Sequence, residues 1–263
     1  MLQMFSKSLC LETIFTEVSF YERFALAAQA GFKYVEFWSW DDKDLNKIRT
    51  LCQEYDLRIS AFSGDKSFSL CDDRESDDYI AYLKESISAA QYLNCDTLVI
   101  HSDALGEGGK VVSDCAHKSD FEKYAACLKT LRRAAVLAKD AGVMLALEPL
   151  NTLYDHAGNY LYTPAETAKL ILAVDSPNVK MLYDIYHMHI MVGNDCNYLS
   201  DFFDFIGYIH VADVPGRGQP GSGEINYAVV FEHLREIGYT GMVGLECYPK
   251  IPSAEAAEIF RTL

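Results

Sequence analysis

The sequence predicts an α/β fold, a (βα)8 TIM barrel in a single domain spanning 1–263. Eight short apolar runs alternate with eight helical patterns, the same punctuation recurs between them, and no linker or compositional break divides the chain. Strand-helix alternation implies a parallel sheet with crossover helices. Eight units close a barrel, where five or six would leave an open sheet. With 263 residues, half of them apolar, the chain can bury one large core, and barrels of this length are commonly one domain.

Taken in order, the first strand is expected at 8–14 and the first helix at 18–30. Ala30-Gly31-Phe32 stops that helix and starts the second strand, 33–38. Helix 42–55 leads into strand 57–62. Helix 74–93 stops at Leu93-Asn94-Cys95, and strand 96–101 follows with the unbroken apolar run Thr97 to Ile100. Such a run suits a strand covered on both faces. Helix 118–141 stops at Ala141-Gly142-Val143, where strand 143–148 begins. Helix 163–174, strand 179–184, helix 197–205 and strand 207–212 come next. Helix 226–237 stops at Ile237-Gly238-Tyr239, before strand 241–246 and helix 253–262. Gly and Asn at these stops suit a left-handed C-cap, and the β-branched and aromatic residues beyond them suit buried strands.

The last four strands each end on a polar residue: Glu148, Asp184, His210 and Glu246. In (βα)8 barrels chemistry lies at the carboxyl ends of the strands, and successive strand ends arc around the mouth. Three carboxylates and an imidazole there suit one divalent ion, Mn²⁺, Mg²⁺, Co²⁺ or Zn²⁺. Glu148 and Glu246 can also move protons to and from a substrate held beside it. Glu36 and His101 end strands two and four on the opposite wall. Pro149 stops regular pairing after Glu148, and Asn151 adds a polar group at the mouth. Asp184 can cap a following helix, and His187 three residues on is a second inward candidate, expected to touch substrate. His189 is read as structural.

Composition excludes several classes. Charge is 23 basic against 38 acidic residues, a net of -15, opposite to the basic stripe of a nucleic-acid binder and unsuited to anionic membranes. The eight cysteines form no CxxC pair, so reduced buried thiols in a cytoplasmic protein are expected rather than a disulfide framework or a zinc-thiolate site. No secretory signal pattern opens the chain, and no run is long enough to span a bilayer. The expected partner is a small molecule; assembly into a homo-oligomer is left open.

The stretch from His210 to Asn226, with the turns Pro215-Gly216-Arg217 and Pro220-Gly221, reads as a tightly shaped loop. Arg217 in it can grip a carboxylate or a polarised hydroxyl. Leu105-Gly-Glu-Gly-Gly-Lys110 lacks the spacing of a P-loop or dinucleotide fingerprint, and no G-x-S-x-G elbow is present.

The loop from Pro215 to Tyr227 closely resembles that of hydroxypyruvate isomerases, in the xylose isomerase-like superfamily of sugar isomerases and epimerases. The stretches around Leu147-Glu148-Pro149-Leu150-Asn151, Asp184 to Met188 and Gly244 to Glu246 resemble ketose 3-epimerases of the tagatose/psicose type. The resemblance covers the whole chain. It implies one divalent ion on Glu148, Asp184, His210 and Glu246, with the two glutamates as the proton-transfer pair. It also implies substrate contacts from His187 and Arg217; His101 and Asn151, at the same mouth by their positions at or just after the ends of strands four and five, are expected to bind substrate as well. Many hydroxypyruvate isomerases carry Gln where this chain has His210, and the epimerases carry His; loop and ligand thus point to different branches.

The implied reaction is proton abstraction next to a carbonyl through an enediolate stabilised by the ion. Return of the proton to the neighbouring carbon isomerises a small ketose or 2-keto acid. Return on the opposite face through the second glutamate epimerises it. A dehydratase that expels a β-hydroxyl is a third outcome. The DNA-repair endonucleases of the superfamily need more histidines at the mouth than a chain with seven supplies, and a non-catalytic binding module would leave the two bases without a purpose.

Overall fold

The computed structural model describes residues 5–113 and 115–263. Eight parallel strands close in sequence order, β1 to β8, with β8 pairing β1. They are β1 Ser6–Cys10, β2 Tyr34–Glu36, β3 Arg58–Ser63, β4 Thr97–His101, β5 Met144–Glu148, β6 Val179–Asp184, β7 Ile206–Val211 and β8 Met242–Leu245. The helices outside are α1 Arg23–Gln29, α2 Leu45–Tyr55, α3 Ser76–Leu93, α4 Asp120–Ala141, α5 Pro164–Val174, α6 Ile185–Met191, α7 Asp195–Asp201, α8 Tyr227–Glu236 and α9 Ser253–Thr262. No helix among the described residues is long and apolar enough to cross a membrane.

The expected caps operate where the sequence placed them. Gly142 and Asn94 close α4 and α3 in the left-handed conformation. Ser119 and Glu122 form a reciprocal capping box at the start of α4. Between barrel and helices lies a continuous apolar core containing Phe24, Phe62, Leu131, Phe231 and Phe260. Inside the barrel a smaller layer of Ala61, Val99, Ala146, Leu182 and Tyr208 fills the axis, so the barrel is a packed core rather than a pore.

Three expected elements differ. The first strand is Ser6–Cys10 rather than 8–14, because the chain turns at Cys10, whose carbonyl accepts from Thr13 and Ile14 N–H. Leu11 N–H still donates to Glu36 O at 2.8 Å, whereas Ile14 is apolar because it is buried in the core beyond the turn, not because it pairs. The first helix starts at Arg23 rather than 18; Phe15 takes a left-handed φ of 62° and turns occupy the stretch between. The helix expected at 197–205 is preceded by an additional one, α6, and is shortened to α7 with a separate 3-10 turn at 203–205. Asp184 explains α6: its Oδ1 accepts from the N–H groups of Tyr186 and His187 and so starts the helix directly at the strand end.

Register aligns the functional strand ends. His101 lies opposite Glu148 across β4 and β5, and Asp184 opposite His210 across β6 and β7. Glu246 follows the last residue of β8, and its N–H donates to Val211 O at 3.2 Å.

Candidate active site

Glu148, Asp184, His210 and Glu246 each place one ligand atom within 4.8 Å of the others, and all four side chains are buried. His210 Nδ1 lies 3.3 Å from Glu246 Oε2 and 3.9 Å from Glu148 Oε1. Glu148 Oε1, Asp184 Oδ2 and both His210 nitrogens are enclosed without a hydrogen bond of good geometry. Buried carboxylates at such separations repel and lose hydration, a cost of several kcal/mol per ion unless positive charge compensates. Oxygen-rich donors with unused lone pairs around one point therefore fit a divalent cation.

The titration behaviour follows from that crowding. Burial, reinforced by Glu148, pushes Asp184 up to about 7 against the pull of Arg217. Burial disfavours the His210 imidazolium, but Glu36 and Glu246 outweigh it and hold the ring well above its ordinary value. Burial also opposes ionisation of Glu246, yet Arg217 and His210 keep its carboxyl far below the usual range. Protons on Asp184 and His210 occupy the lone pairs for which a metal ion competes.

Arg217 supplies fixed positive charge. Its Nη2 donates to Glu246 Oε2 at 2.6 Å and lies 3.6 Å from Asp184 Oδ2, and its guanidinium lies over Tyr186. Arg217 has a φ of 53° and follows Gly216 at 89°, a costly conformation that the rest of the loop must enforce. Asp213 does so. Fully buried, its carboxylate accepts the N–H groups of Val214, Gly221, Gly223 and Ile225 at 2.9–3.0 Å. Gly223 is required for this closure, since a Cβ there would fall 2.0 Å from Val214 O. The shaped loop expected from the glycines and prolines is thus wound around one aspartate.

His187 Nδ1 accepts from Asn151 Nδ2 at 2.7 Å and Asn151 N–H at 3.3 Å. Its proton is therefore on Nε2, which faces Asp184 Oδ2 at 3.5 Å. Burial and then Arg217 keep the ring well below its ordinary pKa, hence neutral. Asn151 lies behind His187, fully buried, and its amide is used up on His187, Asp155, and the N–H groups of Tyr154 and Asp155. His101 borders the cavity between two carboxylates, Nδ1 3.2 Å from Asp65 and Nε2 3.2 Å from Glu148. Burial lowers its pKa, but Asp65 and Glu148 outweigh that and raise it to about 10. His189 pairs with Asp195 away from the cavity lining.

Other groups were not singled out by sequence. Trp38 donates its Nε1–H to Glu246 Oε1 at 2.6 Å, so both oxygens of Glu246 are held. Trp38 follows the strand-ending Glu36 by two residues, and that spacing is the only signal for it. Asp65 and His156 reach the mouth from connecting loops. His156 Nδ1 donates to Gly109 O at 2.6 Å and ties the glycine-rich segment to the wall. That segment closes on itself through the Leu105–Val111 bridge and lines the mouth. The resulting cavity has a volume of about 590 Å³ and is lined by Trp38, His101, Glu148, His210, Arg217 and Glu246 among others, while Asp184 and Asn151 lie behind its surface.

A family model described as xylose isomerase-like TIM barrel matches residues 24–263. The chain is 30% identical over 253 residues to hydroxypyruvate isomerase of Escherichia coli (strain K12), covering 91% of this chain and 92% of that protein. It is also 30% identical over 250 residues to 2-oxo-tetronate isomerase of Haemophilus influenzae, with 91% and 92% covered. Among solved structures, an AP endonuclease, family 2, from Brucella melitensis superposes with a TM-score of 0.86 at 28% identity over 98% of this chain and 99% of that one. D-allulose 3-epimerase from Methylomonas sp. superposes with a TM-score of 0.79 over 97% and 94%, a likeness of fold at 22% identity. Barrel, site and sequence agree: the chain belongs to the xylose isomerase-like TIM barrel family.

Proposed function

We propose that this protein is a metal-dependent isomerase of a small 2-keto acid or ketose, of the hydroxypyruvate isomerase type. The observation that carries the reading is the buried convergence of Glu148, Asp184, His210 and Glu246, two of them glutamates able to exchange protons with one bound substrate. The isomerase relatives along nine-tenths of the chain support the reaction class. Those four residues would hold one divalent ion, Mn²⁺, Mg²⁺, Co²⁺ or Zn²⁺. Such an ion supplies Lewis acidity that makes a C–H next to a carbonyl more acidic.

The protein's own groups do the rest. Glu246, ionised and fixed by Trp38 and Arg217, takes the proton from the carbon beside the carbonyl. The proton goes to the former carbonyl carbon while the hydroxyl proton passes to the other oxygen, and the product is an isomer. Glu148 faces the same space from β5; return of the proton from that side would invert a centre, which is epimerisation. His187, with Nε2–H as its donor, binds a substrate oxygen. Arg217 and His101 offer positive charge to a substrate carboxylate. The Arg217 loop and the glycine-rich segment wall the cavity and limit water, protecting a reactive carbanionic substrate. Eight free thiols favour a reducing compartment such as the cytoplasm.

A ketose 3-epimerase of the tagatose/psicose type is the second reading, favoured by the imidazole at His210. A dehydratase that acts on a sugar or inosose is the third. Incubation of the Mn²⁺-loaded protein with hydroxypyruvate, 2-oxo-tetronate, D-fructose and D-allulose, with products identified by NMR, separates them. An isomer of a 2-keto acid supports the proposal. An epimer, a dehydrated product or no turnover of any substrate overturns it.

Arg217→Ala should lower kcat/KM on a 2-keto acid by about ten- to a hundredfold, the scale of one charge-assisted hydrogen bond. A neutral ketose should lose much less. Equal losses measured on both would mean that Arg217 reads a hydroxyl, and no loss on either would remove it from the site.

A further inference from the structure

We infer that Glu36, the last residue of β2, is the positioning residue for His210. Its carboxylate sits against the imidazole Nε2 and so keeps the hydrogen there, turning Nδ1 toward Glu148 and Glu246. The inference rests on the proposed ion site and adds to it a residue outside the ligand set.

Glu36 is buried, and its Oε1 lies 2.9 Å from His210 Nε2, while Glu246 and Glu148 face the other ring nitrogen, Nδ1. Its Oε2 accepts from the Tyr208 hydroxyl. Tyr208 also bonds Ser60 Oγ at 2.9 Å, and Ser60 pairs with Ser8 Oγ at 2.6 Å. A carboxylate surrounded by the apolar axis of a barrel is costly unless a partner compensates it. The barrel has made room for this one at its own expense. Gly244 lies opposite His210 in the β7–β8 register, and a Cβ on it would fall 2.6 and 2.7 Å from the two Glu36 oxygens. Three strands thus accommodate one contact: β2 brings the carboxylate, β7 the imidazole, and β8 omits a side chain.

The chemical consequence is a choice of tautomer. An imidazole has one donor and one acceptor nitrogen when neutral. With the hydrogen kept on Nε2 by Glu36, the Nδ1 lone pair is presented 3.3 Å from Glu246 and 3.9 Å from Glu148. Imidazoles that bind metal commonly donate their other N–H to a carboxylate, which fixes ring orientation and raises basicity.

The test is Mn²⁺ binding to the full chain by isothermal titration, for wild type, Glu36→Gln and Tyr208→Phe, each first checked for folding by circular dichroism. Glu36→Gln should weaken binding about 10- to 100-fold. Tyr208→Phe, which removes the other partner of Glu36 and leaves His210 in place, should bind like wild type. Equal binding by wild type and Glu36→Gln overturns the role of Glu36, and so does an equal loss in Tyr208→Phe, which would mark the network as structural. Wild type that takes up no Mn²⁺ overturns the ion site itself. If Glu36→Gln does not fold, ¹⁵N-imidazole NMR of the wild-type protein with Zn²⁺ decides. His210 should carry hydrogen on Nε2 with the ion on Nδ1, and the opposite tautomer overturns the inference.

Discussion

Glu246→Gln is expected to lower kcat on the best substrate by about 10²- to 10⁴-fold, the range for loss of one acid–base group, while retaining part of the metal affinity. The amide keeps the size of the carboxylate and an oxygen for the Trp38 N–H, which donates to Oε1 at 2.6 Å. What it loses is the capacity to take a proton. The effect should therefore fall on kcat rather than on KM, since the substrate contacts proposed for His187 and Arg217 would persist. Steady-state kinetics at saturating Mn²⁺, with metal content measured on the same sample, reads both parts. Near-native turnover would sink the two-glutamate mechanism, whatever the metal content.

Asp184→Asn should remove most of the bound ion and with it nearly all turnover. Asparagine is more informative here than alanine. Asp184 Oδ1 caps α6 through the Tyr186 and His187 N–H groups, and losing a cap costs about 0.5–2 kcal/mol of stability. Asparagine keeps an acceptor for that cap and removes the negative charge at Oδ2, the atom left without a hydrogen bond. Elemental analysis after dialysis should find far less metal in Asp184→Asn than in wild type, with the melting temperature little changed. Asp184→Ala should lose both metal and stability. Unchanged metal content in either variant would show that Asp184 is not a ligand.

The barrel was legible because its periodicity is local. Gly and Asn at four helix stops and apolar runs such as Thr97 to Ile100 report the environment of a few residues at a time, and the apolar runs recur eight times. The convergence of Glu148, Asp184, His210 and Glu246 could be anticipated for the same reason: each ends a strand, and the closed barrel turns equal positions into neighbours. What stayed hidden depends on contacts distant in sequence. Trp38 meets Glu246 across 208 residues, and Tyr208 meets Glu36 across 172; no local pattern encodes either. Asn151 was expected at the mouth but is occupied behind His187, because a buried amide must satisfy both its oxygen and its nitrogen. The misplaced first strand and the missing α6 share a cause as well. Ile14 is apolar without pairing, and a single side chain, Asp184, both ends a strand and starts a helix.

The account stands on proton transfer through a carboxylate. The most direct test is the reaction of the Mn²⁺-loaded protein with hydroxypyruvate in D₂O, with the isolated product examined by ¹H NMR and mass spectrometry. A carboxylate that has taken the substrate proton can exchange it with solvent before returning it. The account predicts deuterium at the carbon that receives the proton, in wild type, and no labelled product from Glu246→Gln over the same time. Product formed at the wild-type rate with no deuterium in it would contradict the account and indicate direct hydride transfer between the two carbons.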